Sequence, residues 1–319
     1  MAQIGIETIS DNISMIDFEL SGVKRIGALY LIKGDKTCLV DSGTKESAKK
    51  IIKGLDSVKS FPPDMIILTH SHWDHTQGVP TFCREAEKRS KKIVVMASEK
   101  AISNLKDQSW NSVFDEKHKY ENVIDVEPLK EGQIIDLGGI ELEVIDFSGH
   151  CADDIALYDK KHKIIFIGDS LGYKFEHSLF FPPFMPPFWD KDGFYSAAEK
   201  LKKIDYEKIF LAHYGCLNGK EAQDFPNETV AAMETWWNVF VESDKKGKLD
   251  DVTYMREAIV KEANIVMPEV EIAKASMRIM LSLINMGKKI FGKEPIDVGA
   301  VQLEGFINWL VKGYKGATQ

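Results

Sequence analysis

Three histidines and an aspartate stand within six positions of this 319-residue chain, in the sequence HSHWDH at residues 70–75. This stretch, called the HSHWDH loop below, follows an apolar run that ends at Thr69. Its candidate metal ligands are His70, His72, Asp74 and His75. His70 and His72 are two positions apart, so in extended backbone both imidazoles point to one side and can bind one ion. Imidazole with carboxylate suits zinc, iron or manganese, so the spacing predicts a metal site without choosing the metal.

A site for two metal ions needs more ligands than this loop supplies. Further histidine or aspartate residues should therefore follow other predicted strands. Three residues do: His150 follows the strand predicted at 141–147, Asp169 the one at 163–167, and His213 the one at 209–212. Glycine beside the first two allows the backbone to turn sharply there. Each residue alone could be structural, but their shared position after successive strands predicts that they meet the HSHWDH loop.

The elements that must position these residues change character along the chain. Short apolar runs predict strands at 26–32, 37–40, 65–68, 92–97, 134–137, 141–147, 155–158, 163–167 and 209–212, and a helix at 47–55. Such short apolar strands are typical of sheets covered by helices. Apolar residues at three- and four-residue spacing predict amphipathic helices at 228–243, 253–263, 270–286 and 301–315. We therefore predict an α/β (α+β) domain at 1–222 and a helical C-terminal extension at 223–319.

Composition and charge exclude several classes of protein. Hydrophobic residues make up 44% and charged residues 28% of the chain, as in globular proteins, which excludes a largely disordered or coiled-coil chain. The net charge of -8 argues against nucleic-acid binding, which relies on clustered lysine and arginine. No apolar run approaches the roughly 20 residues of a membrane helix, and the first residues do not resemble a signal peptide. The four cysteines form no CxxC pair, so we expect free thiols and a cytoplasmic location.

The seven candidate ligands, in this order, resemble the signature of the metallo-β-lactamase superfamily over about residues 1–220. The upstream strand, aspartate and glycine of that family have a counterpart in Asp41-Ser42-Gly43. The resemblance implies a four-layer αββα sandwich with two metal ions at one edge, between its sheets. It implies site one from His70, His72 and His150, site two from Asp74, His75 and His213, and a bridging carboxylate from Asp169. Asp41 usually supports such ligands, although a simple turn aspartate is the other interpretation.

Within the superfamily the chain resembles the glyoxalase II branch through Trp73 and, more closely, thioesterases of the quinolone-signal response type. The second likeness depends on Ala97-Ser98-Glu99, on Gly149-His150 followed by Asp153-Asp154, on the string at 168–172, and on the helical extension. The sequence departs from the family pattern at two positions. Cys151 replaces the usual threonine or serine, and Tyr214 replaces a glycine. Neither change removes a ligand, but both weaken the transfer of a substrate.

The resemblance implies a metallohydrolase with two divalent metal ions, zinc foremost and iron or manganese as alternatives, that activate a bridging hydroxide. Asp74 and Asp169 are then the candidate catalytic residues, the first orienting the hydroxide and the second fixing the metal separation. Thioesters or related small esters and lactones are the expected substrates, with phosphodiester or β-lactam hydrolysis as alternatives. Two other classes stay open: a mono-iron persulfide dioxygenase, and a signalling or binding module with a vestigial site.

An aromatic segment at 178–189, rich in phenylalanine and proline, has two interpretations. It could wall a pocket for the apolar acyl or aryl part of a small-molecule substrate. Alternatively, it buries its rings against the C-terminal helices or a second copy of the chain, and either these helices or the segment would allow a homodimer. Tyr173 and Tyr214 could each donate a hydrogen bond to a developing oxyanion or simply pack. Neither nucleic acid nor a membrane is an expected partner.

Overall fold

The computed structural model describes residues 4–175, 179–265, 272, 275–290 and 298–318. The strands are β1 (Ile6–Thr8), β2 (Ile13–Asp17), β3 (Ala28–Lys33), β4 (Thr37–Val40), β5 (Met65–Leu68), β6 (Val94–Ser98), β7 (Val126–Leu129), β8 (Ile134–Asp136), β9 (Glu141–Asp146), β10 (Ile155–Asp159), β11 (Ile164–Phe166), β12 (Tyr173–Phe175), β13 (Leu179–Phe181), β14 (Lys208–Leu211) and β15 (Gly215–Asn218). The helices are α1 (Lys45–Ser57), α2 (Trp73–Thr76), α3 (Val79–Glu87), α4 (Ile102–Lys106), α5 (Lys191–Leu201), α6 (Gly219–Lys245), α7 (Val252–Glu262), α8 (Ala275–Ile290) and α9 (Val298–Thr318).

Two large sheets carry most of the strands. The first has seven strands in the order β1 to β7; it is antiparallel from β1 to β4 and parallel from β4 to β7. The second has the order β15-β14-β11-β10-β9-β8 and is antiparallel except where β11 pairs with β14. The hairpin of β12 and β13 stands apart from both.

Three apolar clusters hold the layers together. Between the sheets, the ring of Tyr30 lies 5.4 Å from that of Phe166 and 4.9 Å from that of Phe210. Phe82 of α3 is fully buried against the outer face of the first sheet, and Phe194 of α5 belongs to the cluster outside the second. Helices therefore cover the outer face of each sheet, which confirms the predicted four-layer αββα sandwich.

Helix α1 shows how local sequence builds the outer layer. The Thr44 side chain accepts a hydrogen bond from the Ser47 N–H, and the Ser47 hydroxyl accepts one from the Thr44 N–H, so two free amides at the start of the helix are paired. Ala48, Ile51 and Leu55 then recur at helical spacing and are fully buried. This face packs α1 into the apolar cluster on the outer face of the first sheet.

The C-terminal helices continue the layer outside the second sheet. Trp237 of α6 lies 4.9 Å from Tyr314 of α9, and Phe240 of α6 lies 5.0 Å from Phe184 of the aromatic segment. Helix α6 runs across the boundary predicted between residues 222 and 223, and that division stays a prediction. Helix α8 exposes several large apolar side chains, and the predicted homodimer likewise stays a prediction. None of the helices in the described ranges combines the length and apolar character needed to span a membrane.

The structure differs from the sequence predictions at the edges and at α6. Strands β1, β2, β7, β12, β13 and β15 were not predicted, and residues 270, 271, 273 and 274 of the helix predicted at 270–286 lie outside the described residues. Helix α6 begins at Gly219 and contains Pro226, whose missing N–H would normally leave the Ala222 carbonyl unpaired. The Tyr206 hydroxyl donates to that carbonyl instead (3.1 Å), which lets the helix continue through proline.

Candidate metal centre

The candidate ligands follow strands that end at the same edge of each sheet. Strands β4 and β5 are parallel neighbours, so Asp41 and the HSHWDH loop lie side by side. Strands β9, β11 and β14 run in one direction, because β10 reverses the chain between the first two. Backbone hydrogen bonds join the two sheets here, from the Ile155 N–H to the Thr69 carbonyl (2.9 Å) and from the Ala28 N–H to the Ala212 carbonyl (2.8 Å).

Three imidazoles meet in the first ligand group, called site one. The Nδ1 atom of His72 lies 2.6 Å from the Nε2 atom of His150. The ring of His70 lies 4.8 Å from the His72 ring and 5.0 Å from the His150 ring. All three residues are buried, and one nitrogen of each lies within 4.8 Å of the others. Three neutral nitrogens at this separation can share one metal ion.

The second group, site two, consists of Asp74, His75 and His213. The His213 Nε2 atom lies 3.3 Å from the Asp74 Oδ2 atom, and the His75 Nε2 atom lies 3.7 Å from the Asp74 Oδ1 atom. One ligand atom of each residue lies within 4.8 Å of the others. This group has a carboxylate in addition to two imidazoles, so it offers a more negative environment than site one.

The Asp169 carboxylate lies between the two groups. Its Oδ2 atom is 3.4 Å from the Nε2 atoms of His75 and His213 in site two. The same oxygen is 3.9 Å from the Nε2 atoms of His70 and His150 in site one. The structure thus brings all seven predicted side chains together, with one carboxylate oxygen facing both halves. That these side chains bind metal stays a prediction.

Backbone carbonyls orient the two histidines that come from the second sheet. The Nδ1–H of His150 donates to the Pro183 carbonyl (2.7 Å), and the Nδ1–H of His213 donates to the Ile26 carbonyl (2.7 Å). A carbonyl can only accept, so each ring carries a proton on Nδ1 and points its Nε2 atom toward the other ligand atoms. Such hydrogen bonds fix the tautomer and the ring orientation that a metal ligand needs.

Asp41 orients the histidines of the HSHWDH loop. Its Oδ2 atom accepts from the Nδ1–H of His75 (2.9 Å), and its Oδ1 atom accepts from the Thr69 N–H (2.7 Å). The Thr69 hydroxyl donates to Asp41 Oδ2 (2.9 Å) and lies 3.1 Å from the Nδ1 atom of His70, whose proton it can accept. Asp41 also has a left-handed φ of 62°, so it is both a turn residue and a support for two ligands.

Burial and charge give the histidines of site one and site two opposite protonation states. Burial lowers the pKa of each imidazole in site one, well below the ordinary value for His70 and His72, so the nitrogens stay neutral. In site two burial also acts to lower the pKa, but the nearby carboxylates outweigh it. They raise the pKa of His75 well above its ordinary value and that of His213 to about 10. Site two therefore attracts positive charge, which a metal ion would supply in place of protons.

Several buried polar atoms of the centre lack partners among the described residues. Two of them, the Nε2 atoms of His70 and His75, face the Oδ2 atom of Asp169 at the middle of the centre. An unpaired buried polar atom costs about 1–3 kcal/mol, so a group of such atoms in one place indicates a missing partner. Nitrogen and oxygen donors of this kind are the usual ligands of zinc. The residues present therefore fit divalent metal ions.

The two tyrosines considered as oxyanion donors lie in different surroundings. The ring of Tyr173 lies 5.0 Å from that of His213, and its hydroxyl is 3.5 Å from the Nδ1 atom of His150. The hydroxyl of Tyr173 therefore lies beside a ligand of site one. Tyr214 instead faces the Arg25 guanidinium, which lies 5.9 Å from its ring centre. Both tyrosines pack on neighbouring side chains, and the proposed role of either hydroxyl as an oxyanion donor stays a prediction.

The aromatic segment at 178–189 buries most of its described rings. Phe184 is fully buried and lies 5.6 Å from both Trp189 and Trp237. The interpretation that the segment packs on the C-terminal helices is therefore confirmed for these rings. Phe188 behaves differently: it is 39% exposed and lies 5.2 Å from Trp110, beside the metal centre.

Sequence reasoning missed the segment that covers His72. The ring of Trp110 lies 5.4 Å and that of Phe114 5.2 Å from the His72 ring, and Phe114 contacts Trp309 of α9 at 5.5 Å. The spacing of Trp110 and Phe114, four positions apart, was the signal that could have indicated one aromatic face. Together with Phe188, these rings form a half-buried surface called the aromatic wall, which consists of Trp110, Phe114, Phe188 and Trp309.

Gln108 fixes this segment on the HSHWDH loop and was also missed. Its side-chain carbonyl accepts from the Thr76 hydroxyl (3.1 Å) and the Gln77 amide (3.0 Å), and its amide donates to the Ser71 carbonyl (3.1 Å). The Asn111 side-chain carbonyl accepts from the N–H of the residue after His72 (3.1 Å). These hydrogen bonds join residues far apart in the sequence, so no local pattern predicts them.

Comparison with known proteins places this geometry in a family. A family model described as the Metallo-beta-lactamase superfamily matches residues 23–213, more than half of the chain. The acyl-coenzyme A thioesterase MBLAC2 of Gallus gallus is 29% identical over 170 residues, which cover 44% of this chain and 56% of that protein. The hydroxyacylglutathione hydrolase of Ruegeria pomeroyi is 32% identical over 136 residues, which cover 43% of each chain. The chain thus spans about half the length of these relatives.

Solved structures agree on the fold. The structure of BJP-1, a subclass B3 metallo-beta-lactamase of Bradyrhizobium japonicum, matches with a TM-score of 0.56 and 17% identity. The match covers 77% of this chain and 97% of that one. At this identity the likeness shows the fold alone. With the family match and the converging histidines, it leads to one conclusion: the chain belongs to the metallo-beta-lactamase superfamily.

Proposed function

We propose that this protein is a hydrolase that uses two divalent metal ions, zinc foremost, to cleave thioesters or related small esters. One observation carries the proposal: the Oδ2 atom of Asp169 faces both ligand groups, at 3.4 Å from two imidazoles and 3.9 Å from two others. A carboxylate in this position can serve two cations at once. Site one would hold one ion and site two the other.

The residues of the chain have separate tasks in this proposal. Bound divalent ions would lower the pKa of water enough to make hydroxide available at neutral pH. The Asp74 side chain is 14% exposed, whereas that of Asp169 is 3% exposed, so Asp74 is the more accessible of the two carboxylates. Asp74 would accept a hydrogen bond from the attacking water and fix its direction toward the substrate carbonyl. Asp169 would keep the two sites at a constant separation.

Two observations support a thioester substrate: the aromatic wall and the names of the similar proteins. The relatives are named as an acyl-coenzyme A thioesterase and a hydroxyacylglutathione hydrolase. The aromatic wall stands beside His72 of site one, where the apolar part of an acyl group would lie when its carbonyl is at the centre. Each methylene buried on such a surface contributes about 0.8 kcal/mol.

A series of acyl-coenzyme A substrates of increasing chain length, assayed with the zinc-loaded protein, tests the proposal. We expect kcat/KM to rise by about fourfold for each added methylene until the wall is filled. Phe188→Ala should flatten this rise and leave turnover of acetyl-coenzyme A nearly unchanged. Ile134→Ala removes a similarly exposed apolar side chain from β8, away from the centre, and is the matched control.

Two outcomes would contradict the proposal. If the metal-loaded protein cleaves no thioester, lactone, phosphodiester or β-lactam, the chain is a binding module with a vestigial site. If turnover requires dioxygen and stops under anaerobic conditions, the reaction is an oxidation, as in a persulfide dioxygenase. Metal analysis of the freshly purified protein should show close to two divalent ions per chain, and a single iron would favour the second outcome.

A further inference from the structure

Two adjacent aspartates, Asp153 and Asp154, lie between the loops that carry the ligands of site one. Their side chains are buried, with 2% and 1% of their surface exposed. Neither is among the proposed ligands. Burying two carboxylates side by side is unfavourable unless each is fully hydrogen-bonded, so their partners indicate what they do.

Asp154 holds the turn on which His150 lies. Its Oδ2 atom accepts hydrogen bonds from the backbone N–H groups of Gly149 (3.3 Å), His150 (2.7 Å) and Cys151 (2.8 Å). Three donors on one oxygen fix the backbone at this turn. The other oxygen, Oδ1, lies 3.7 Å from the Nδ1 atom of His70 in the HSHWDH loop. One carboxylate thus contacts both loops.

Asp153 makes a second connection between the same two loops. Its Oδ2 atom accepts from the Ser71 hydroxyl (2.6 Å) and the Asn104 amide (3.0 Å), and its Oδ1 atom accepts from the Ser71 N–H (3.4 Å). Ser71 stands between the two histidines that the loop gives to site one. The Cys151 thiol donates to Asp153 Oδ1 (2.9 Å) from the other loop.

We propose that Asp153 and Asp154 are positioning residues that set the separation between the His70 and His72 imidazoles and the His150 imidazole. The inference rests on the proposed metal centre. Site one draws its ligands from two different sheets, so its geometry depends on whatever joins them. Asp153 bonds to the backbone of Ser71, which stands between two of the ligands, and Asp154 bonds to the backbone of His150, the third. Site two and Asp169 make no hydrogen bond to this pair within the described residues.

Titration of the metal-free protein with cobalt(II), by equilibrium dialysis and visible absorption, tests the inference. Wild-type protein should bind two ions. Asp154→Asn should keep one ion at its original affinity and bind the other about 10–100-fold more weakly, because partners behind the ligands have effects of this size. The absorption bands of the weakened ion should also change, since they report ligand geometry. This change distinguishes a positioning role from a general loss of stability.

The control is Asp159→Asn, which alters another buried carboxylate at the far end of β10. Asp159 pairs with His162 (2.6 Å) and lies outside both ligand groups, so both affinities should match wild type. If Asp154→Asn does not fold, Ser71→Ala gives a milder test. It removes one hydrogen bond of Asp153 and should weaken the same ion by several-fold.

A different role for Asp154 is to be a metal ligand itself. Ligand atoms of His70, Cys151 and Asp154 also lie within 4.8 Å of one another, so these three residues could form a separate metal site. Cys151→Ser keeps a hydrogen-bond donor but removes the thiol. If Asp154 is a positioning residue, this variant should still bind two ions, and loss of an ion would overturn the inference. Wild-type cobalt affinities and spectrum in Asp154→Asn would overturn it too. A wild-type protein that binds no cobalt would instead refute the proposed function.

Discussion

The contact between helix α9 and the aromatic segment gives a sharp test of how the C-terminal helices serve the site. At Gly313 the helix passes directly over the Phe184 backbone. A Cβ atom added there would lie 2.0 Å from the Phe184 carbonyl oxygen and 2.8 Å from its carbonyl carbon. Carbon atoms do not approach backbone oxygen so closely, so Gly313→Ala must move the helix or the segment by roughly 1 Å.

Gly316, on the same helix, is the matched control because a Cβ there would meet no atom within 4 Å. Overpacking costs about 1–3 kcal/mol, and alanine in place of glycine in a helix regains up to about 1 kcal/mol. Gly313→Ala should therefore lower the free energy of unfolding by about 1–2 kcal/mol, whereas Gly316→Ala should raise it by up to about 1 kcal/mol. In a chain of this size each kcal/mol changes Tm by roughly 2 °C.

Calorimetry of both variants measures these opposite changes in Tm. The displaced helix also carries Trp309 and Phe306, the second of which lies 5.6 Å from Tyr173. Gly313→Ala should therefore raise KM for long acyl substrates and leave kcat for acetyl-coenzyme A nearly unchanged. If Gly313→Ala stabilised the protein as much as Gly316→Ala, the helix would not pack on Phe184 and our account of the C-terminal layer would be refuted.

Three further predictions follow from other parts of the structure. Asp41→Asn should weaken zinc binding by about 10–100-fold, because Asp41 orients His75. Competition with a chromophoric chelator measures the zinc affinity, and an unchanged affinity would contradict this role of Asp41. Removing metal with a chelator should lower Tm reversibly, because a metal ion at 1,000 times its Kd adds about 4 kcal/mol to the free energy of unfolding. An unchanged Tm would count against a metal centre. Tyr206→Phe should cost about 1 kcal/mol at neutral pH by leaving the Ala222 carbonyl unpaired. Burial raises the pKa of Tyr206 to about 12, so its contribution is complete below the unfolded value near 10 and declines as pH rises to 12. Denaturation from pH 7 to 12 should show the two proteins converging, and a constant difference would contradict this.

The parts of the site that sequence could predict are those set by local patterns. Four consecutive apolar residues identified β5 with its observed bounds, and a similar run identified β4. The residues that follow successive predicted strands were expected to meet. The structure brings His150, Asp169 and His213 to the HSHWDH loop because β9, β11 and β14 run in one direction and backbone hydrogen bonds join the two sheets at that edge.

The parts that sequence could not predict depend on partners far along the chain. Helix α6 continues through Pro226 because the Tyr206 hydroxyl, on another segment, replaces the missing donor. Trp110 reaches His72 because the buried Gln108 side chain bonds to a loop more than thirty positions earlier. The aromatic segment had two interpretations until the partners of Phe184 on α6 were known, and a substrate contact of Phe188 stays a prediction.

The pairing of β11 with β14 in the second sheet has a consequence for biosynthesis. The HSHWDH loop leaves the ribosome well before His213, and bacterial or eukaryotic translation adds about 5–20 residues per second. For about 7–28 seconds, the time needed to add the residues between His75 and His213, a nascent chain therefore presents an incomplete set of imidazoles. Non-local strand pairing is also slow to form. Cation capture should thus be a late event in maturation, after the second sheet has closed, rather than a nucleus around which the chain folds.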